Sequence, residues 1–156
     1  MAQERRPKVG IIVGSKSDLA LIEKAEQQLK EFGIAYDITV ASAHRAPKEV
    51  EYYAEEAEEN YDLIIAGAGM AAALPGVIAA HTSLPVIGLP IHTPALSGHD
   101  ALFAIVQMPP GVPVATVAID GAKNAAILAA QILALKYPKL TAKLKEFKSR
   151  LAKGSS

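Results

Sequence analysis

The segment Ser42-Ala43-His44-Arg45-Ala46-Pro47 sets an imidazole beside a guanidinium where an apolar run gives way to a helical pattern. Histidine titrates near neutral pH and suits general acid/base work, while arginine offers a planar fork of donors to a phosphate. The pair combines a proton-transfer group with an anion clamp. On residue type alone, a loop histidine and a solvated arginine would also account for it. A second segment, Gly14-Ser15-Lys16-Ser17-Asp18, changes the balance. Hydroxyls and free backbone N–H groups at the start of a helix can hold a phosphate. Ser17 or Asp18 acting only as a helix cap is the alternative, although a cap alone needs neither Gly14 nor two serines.

These segments need elements to position them. Val9-Gly10-Ile11-Ile12-Val13 reads as a buried strand, and residues 19–32 carry apolar side chains at helical spacing. Continued along the chain, the pattern predicts strands near 8–13, 35–41, 62–66, 85–89 and 114–119, and helices near 18–32, 47–60, 72–82, 98–106, 121–136 and 138–152. Regular βα alternation with near-continuous apolar strands implies a three-layer α/β fold around a doubly wound parallel sheet. Pro47 suits the first turn of a helix, and Gly33 suits a helix stop. Ligands of such sheets gather outside the carboxyl ends of the strands. The loops at 14–18, 42–45 and 67–70 are therefore expected to converge there. The acidic helix 47–60 reads as a solvated face.

With 156 residues and 51% hydrophobic content, the chain reads as a single domain over 8–152, with flexible termini at 1–7 and 153–156. Sixteen basic and sixteen acidic side chains balance, which leaves no electrostatic footprint for nucleic acid or an anionic membrane. A small-molecule partner fits better. The absence of cysteine excludes disulfides, thiolate catalysis and cysteine-ligated metals. The polar N-terminus lacks the apolar core of a secretory signal, in keeping with a cytoplasmic enzyme. Between Asp62 and Asp120 the only formally charged residue is Asp100. Gly67, Gly69, Pro75 and Gly76 break that run too often for a membrane span, so extensive subunit contact is expected to cover it. His81, His92 and His99 show no metal-ligand spacing with carboxylates, and no metal is expected.

Five motifs occur in order: Gly14-Ser15-Lys16-Ser17-Asp18, Ser42-Ala43-His44-Arg45-Ala46-Pro47, Ala66-Gly67-Ala68-Gly69, Ala73-Leu74-Pro75-Gly76, and Ile105-Val106-Gln107-Met108-Pro109 continuing to Val114. Together they resemble the N5-carboxyaminoimidazole ribonucleotide mutase family of purine biosynthesis over nearly the whole chain. The resemblance implies a flavodoxin-like sheet and a homo-octamer of dihedral symmetry. The uncharged middle, the alanine-rich face of residues 122–135 and the C-terminal helix would supply its contacts. It implies a ribonucleotide substrate, carbon dioxide as the migrating unit and no cofactor. By the same resemblance Ser15 and Arg45 would bind the phosphate end and Asp18 the ribose hydroxyls. Ser17, Ser42, Ala43, Gly69 and Met70 would line the pocket, with a dry cradle for carbon dioxide at Gly67 and Gly69. His44 would carry the proton transfers.

The chain also departs from the family. Bacterial mutases usually have glycine where Met70 stands and histidine where Ala73 stands; the sequence Gly69-Met70 followed by Ala73-Leu74 leans toward related carboxylases that use aminoimidazole ribonucleotide and free carbon dioxide. Arg45-Ala46-Pro47 fits the mutase side. Mutase activity is the leading expectation and direct carboxylation the alternative, followed by a catalytically weak binding oligomer of the same fold.

Overall fold

The computed structural model describes residues 5–155. Its five parallel strands are β1 (Lys8–Val13), β2 (Ala35–Val40), β3 (Leu63–Gly69), β4 (Val86–Ile91) and β5 (Ala115–Thr116), in the order β2-β1-β3-β4-β5. That is the flavodoxin-like order, with its reversal between β1 and β3. The connecting helices are α1 (Leu19–Phe32), α2 (Pro47–Asn60), α3 (Leu74–His81), α4 (His99–Val106), α5 (Ala122–Ala134) and α6 (Lys139–Ala152), and a 3-10 turn (Lys16–Asp18) precedes α1. Pro47 opens α2, and Gly33 stops α1 at φ 71° while its N–H reaches the Leu29 and Lys30 carbonyls. Among the described residues, no helix is long and apolar enough to cross a membrane.

Alternation along the strands builds two cores. Val9, Ile11, Val13, Leu63, Ile65, Ile87 and Leu89 face α1, α5 and α6, whereas Ile12, Ile64, Ala66 and Val86 face α2, α3 and α4. Gly88 admits α4 closely, since a β-carbon there would stand 2.3 Å from Ile105 Cγ2. Ala122, Ala125, Ala126, Ala129 and Ala130 are all buried inside the chain in the core they share with α1. The alanine face expected to meet a neighbouring subunit is therefore consumed internally, because small side chains let α5 approach α1. Leu140, Leu144 and Phe147 of α6 are buried in that same core.

Three expectations shift. Strand β3 runs to Gly69, so Gly67 and Gly69 belong to the strand and only Met70 starts the loop. Strand β5 has two residues in place of the six expected. Beyond it two backbone bonds reach the β4 edge, from Val117 N–H to Gly88 O and from Asp120 N–H to Pro90 O, and the chain turns at Asp120 with φ 57°. Residues 153–155, expected to be flexible, close α6: Gly154 sits at φ 75°, and the N–H groups of Gly154 and Ser155 reach the Leu151 and Arg150 carbonyls. Left-handed glycine bonding of this kind is a helix C-cap. The expectations for residues 1–4 and 156 lie outside the described residues.

Asp62 ties the amino-terminal end of the sheet together. Its side chain is 5% exposed. It accepts the Lys8 N–H at 3.0 Å, the Lys136 ammonium at 2.8 Å and the Tyr137 hydroxyl at 3.1 Å. Burial acts to raise the Asp62 pKa, but Lys136, the Lys8 amide and Tyr137 together outweigh it and hold the carboxyl below its usual range. A folded-state pKa below the unfolded value stabilises the fold above the ordinary carboxylate range, and that stability is lost as pH falls through the folded value. Lys136 is largely exposed, so the ion pair adds little; the orphaned Lys8 amide and Tyr137 hydroxyl dominate the effect of deletion. Asp62→Ala is expected to lower unfolding stability by about 1–3 kcal/mol at pH 7. In denaturant titrations the gap from the parent should narrow as the medium is acidified below the ordinary carboxylate pKa.

Candidate active site

Parallel register brings the candidate residues to one level. Val13 lies opposite Val40 on one side and Gly67 on the other, and Ala41 N–H donates to Val13 O at 2.9 Å. The loops after β1 and β2 must therefore leave the sheet side by side. A direct bond joins them: Arg45 Nη2 donates to Gly14 O at 3.2 Å. Within the second loop, Arg45 N–H donates to Ser42 Oγ at 3.3 Å and Ala46 N–H to Ser42 O at 2.8 Å, which folds the loop into a turn ahead of Pro47. His44 stands on that turn. It is exposed and makes no hydrogen bond or ion pair among the described residues, so its side chain is committed to no other group there.

In the first loop, Ser15 caps the 3-10 turn. Its Oγ accepts from Ser17 N–H at 3.3 Å and lies 3.0 Å from Ser17 Oγ, while its own N–H donates to Asp18 Oδ2 at 3.1 Å. This is a reciprocal capping box in which Ser15 is the cap, where Ser17 or Asp18 was expected, and Asp18 only returns the bond from N3. The start of α1 itself has no side-chain cap bond. Burial raises the Asp18 pKa, and the Ser15 N–H acts against that rise. A half-buried carboxylate with one acceptor oxygen committed to the backbone and the other uncommitted suits a hydroxyl donor.

The third element differs from the cradle expected of it. A β-carbon on Gly67 would meet Ile91 Cδ1 at 3.2 Å and Val13 Cγ1 at 3.3 Å, and one on Gly69 would meet Thr93 Cγ2 at 3.0 Å and Ile91 O at 3.2 Å. Gly67 makes room for side chains of β1 and β4, and Gly69 for Thr93 and the Ile91 carbonyl. Thr93, which sequence reasoning passes over, thus packs against the last residue of β3. Only its position one strand from the reversal could have signalled it. After Gly69 the chain turns sharply, with Ala72 N–H donating to Gly69 O at 3.0 Å. Met70 and Ala72 adopt φ 56° and 38° in this turn, and Met70 is 61% exposed. Ala43 packs partly against the α2–α4 core, and Ser42 is half-buried beside it.

The AIR carboxylase family profile matches residues 8–154. The chain belongs to the AIR carboxylase family. An N5-carboxyaminoimidazole ribonucleotide mutase of Thermotoga maritima is 59% identical over 146 residues, covering 93% of this chain and 85% of that protein. One from Pyrococcus abyssi is 56% identical over 149 residues, covering 95% and 86%. Among solved structures, the crystal structure of Treponema denticola PurE superposes with a TM-score of 0.87 at 34% identity, covering 96% of this chain and 94% of that one.

Family membership gives the turn at Met70 a physical meaning. A positive φ in the second position of a tight turn favours glycine, the residue usual in bacterial mutases at this place. Methionine is held there against its backbone preference, and no feature of its sequence neighbours reveals this. Folding also assembles a group that linear spacing hides: ligand atoms of Glu51, Glu55 and His81, all exposed, lie within 4.8 Å of one another where α2 meets α3. Relieving the turn strain should stabilise this AIR carboxylase family member. Met70→Gly is expected to raise unfolding stability by about 1 kcal/mol, read as an increase in Tm.

Proposed function

We propose that the chain converts N5-carboxyaminoimidazole ribonucleotide to 4-carboxy-5-aminoimidazole ribonucleotide, acting as a cytoplasmic enzyme of purine biosynthesis with residues 8–152 as its catalytic unit. The observation that carries this reading is the bond from Arg45 to the Gly14 carbonyl. It draws the His44 turn onto a serine-rich helix start at the strand-order reversal, so that a proton-transfer group stands one loop from an anion site. The relatives named as mutases support the same substrate.

In this reading the 5′-phosphate rests on Ser15, Ser17 and the Arg45 guanidinium, which keeps donors beyond the one given to Gly14. Asp18 accepts from a ribose hydroxyl, and charge-assisted bonds of this kind orient the nucleotide. Ser42, Ala43, Gly69 and Met70 border the ring. The N–C bond to the carboxylate breaks, carbon dioxide leaves, and the electron pair stays on nitrogen, which takes a proton from the His44 imidazolium. The electron-rich ring carbon then attacks carbon dioxide and forms the new C–C bond. Neutral His44 accepts the proton that this carbon sheds, so the enzyme returns to its starting state and the overall change is an isomerisation. No cofactor is required by that balance.

In a single chain the His44 turn and Met70 stand open to water. Free carbon dioxide needs a drier enclosure. Met70, Leu96, Phe103 and Val106 expose apolar surface. A homo-oligomer that covers them would close the site, and the family resemblance makes it an octamer. Light scattering of the purified protein should report an assembly well above monomer mass at micromolar concentration; a stable monomer would defeat the enclosure argument.

A second reading, direct carboxylation of aminoimidazole ribonucleotide, is favoured by Met70 and by the absence of an imidazole at Ala73. Parallel assays of the parent with N5-carboxyaminoimidazole ribonucleotide and with aminoimidazole ribonucleotide plus bicarbonate decide between the two, the mutase reading requiring the first to be turned over faster. Silence on both would leave a binding oligomer. In the active assay His44→Asn should lower turnover by about two to four orders of magnitude while nucleotide still binds. Arg45→Ala and Asp18→Ala should instead weaken nucleotide binding roughly ten- to a hundredfold in calorimetric titration.

A further inference from the structure

Helices α2 and α3 pack together, with Val50, Ala54 and Ala57 of one and Leu74 and Ile78 of the other buried in a common core. Above that seam the two helices bring three groups of metal-ligating type to one place. Glu51 and Glu55 lie one turn apart on α2, and His81 is the last residue of α3. All three are exposed, and one ligand atom from each lies within 4.8 Å of the others. Among the described residues none of the three makes a hydrogen bond or ion pair, with one another or with any other group. Their donor atoms converge without being committed.

Two features separate this group from the solvated acidic face of α2. The first is that other bonds hold the helices at this spacing. Glu58 Oε1 accepts Ser83 N–H at 2.8 Å and Ser83 Oγ at 2.6 Å, with Thr82 Oγ1 at 3.5 Å. The backbone that follows His81 is thus fastened to the helix that carries both carboxylates. The second feature is chemical. Carboxylates one turn apart repel, and α2 adds Glu49, Glu56, Glu58 and Glu59 against Lys48 alone. A cation between Glu51 and Glu55 relieves that repulsion, and the imidazole from α3 decides which cation. Calcium and magnesium take oxygen ligands, whereas imidazole selects zinc and its first-row neighbours. Zinc binds histidine nitrogen and carboxylate oxygen at roughly 2.0–2.2 Å, and rotation of exposed side chains that are already neighbours closes that distance.

We propose that Glu51, Glu55 and His81 bind a zinc-type divalent cation that ties α2 to α3, at a site separate from the candidate active site. Three protein ligands leave its remaining positions to water. The inference does not depend on the proposed reaction.

The test is calorimetric titration of the full assembled protein, first stripped with a chelator, with zinc chloride. Saturable binding of one zinc per chain is expected. Affinity should fall at least tenfold in Glu51→Gln/Glu55→Gln and in His81→Gln. Glu49→Gln/Glu56→Gln removes the same charge from the same helix, and His92→Gln removes another exposed imidazole; each should change affinity less than twofold. Zinc held only by the folded chain should raise the Tm of the parent and of both controls and leave that of His81→Gln unmoved. The Tm of each variant without zinc shows that it is folded. Magnesium at the same concentration should not displace the zinc. The proposal is overturned if zinc does not saturate, if His81→Gln binds it as tightly as the parent, if either control weakens binding as much as the site variants, or if magnesium competes on equal terms.

Discussion

Everything at the candidate site depends on the register of the parallel sheet. Because successive side chains point to opposite faces, a slip of one residue would exchange the two cores. Ile11 and Ile65 must meet α1 and α5, while Ile12 and Ile64 must meet α2 and α3. That requirement fixes Val13 level with Val40 and Gly67, and with it the heights at which the loops depart. The site's geometry is thus inherited from apolar packing beneath it. The bond from Arg45 to Gly14 adds the last restraint across a gap that the register has already made small.

Most of the architecture was legible because its signals are local. The bounds of α2 follow from Pro47 and from helical spacing, and the stop of α1 follows from one glycine. What was not legible depends on partners distant in the chain. Gly67 and Gly69 read as loop glycines until Ile91 and Thr93 are seen filling the space beside them. The alanines of α5 look like an interface until α1 is found against them, and the grouping of Glu51 and Glu55 with His81 exists only through helix packing.

The candidate site was legible as residue types and as loops sharing one end of the sheet. Their bonding was not. The choice of Ser15 over Ser17 as the cap depends on backbone angles that a Gly-Ser-Lys-Ser-Asp string does not specify. The strain at Met70 is hidden for the same reason, because methionine carries no hint of a left-handed backbone.

The side chains assigned to the ligand are already engaged without it. Asp18 holds the Ser15 amide, and Arg45 holds the Gly14 carbonyl. On the proposed assignment, a nucleotide arriving here would meet groups whose directions are set in advance, with little side-chain freedom left to lose. Where its oxygens need a donor already in use, one bond must be relinquished as another forms. Association then resembles an exchange of partners more than the filling of a vacancy, and a molecule with the right charge but the wrong spacing would break the old bonds without completing the new ones.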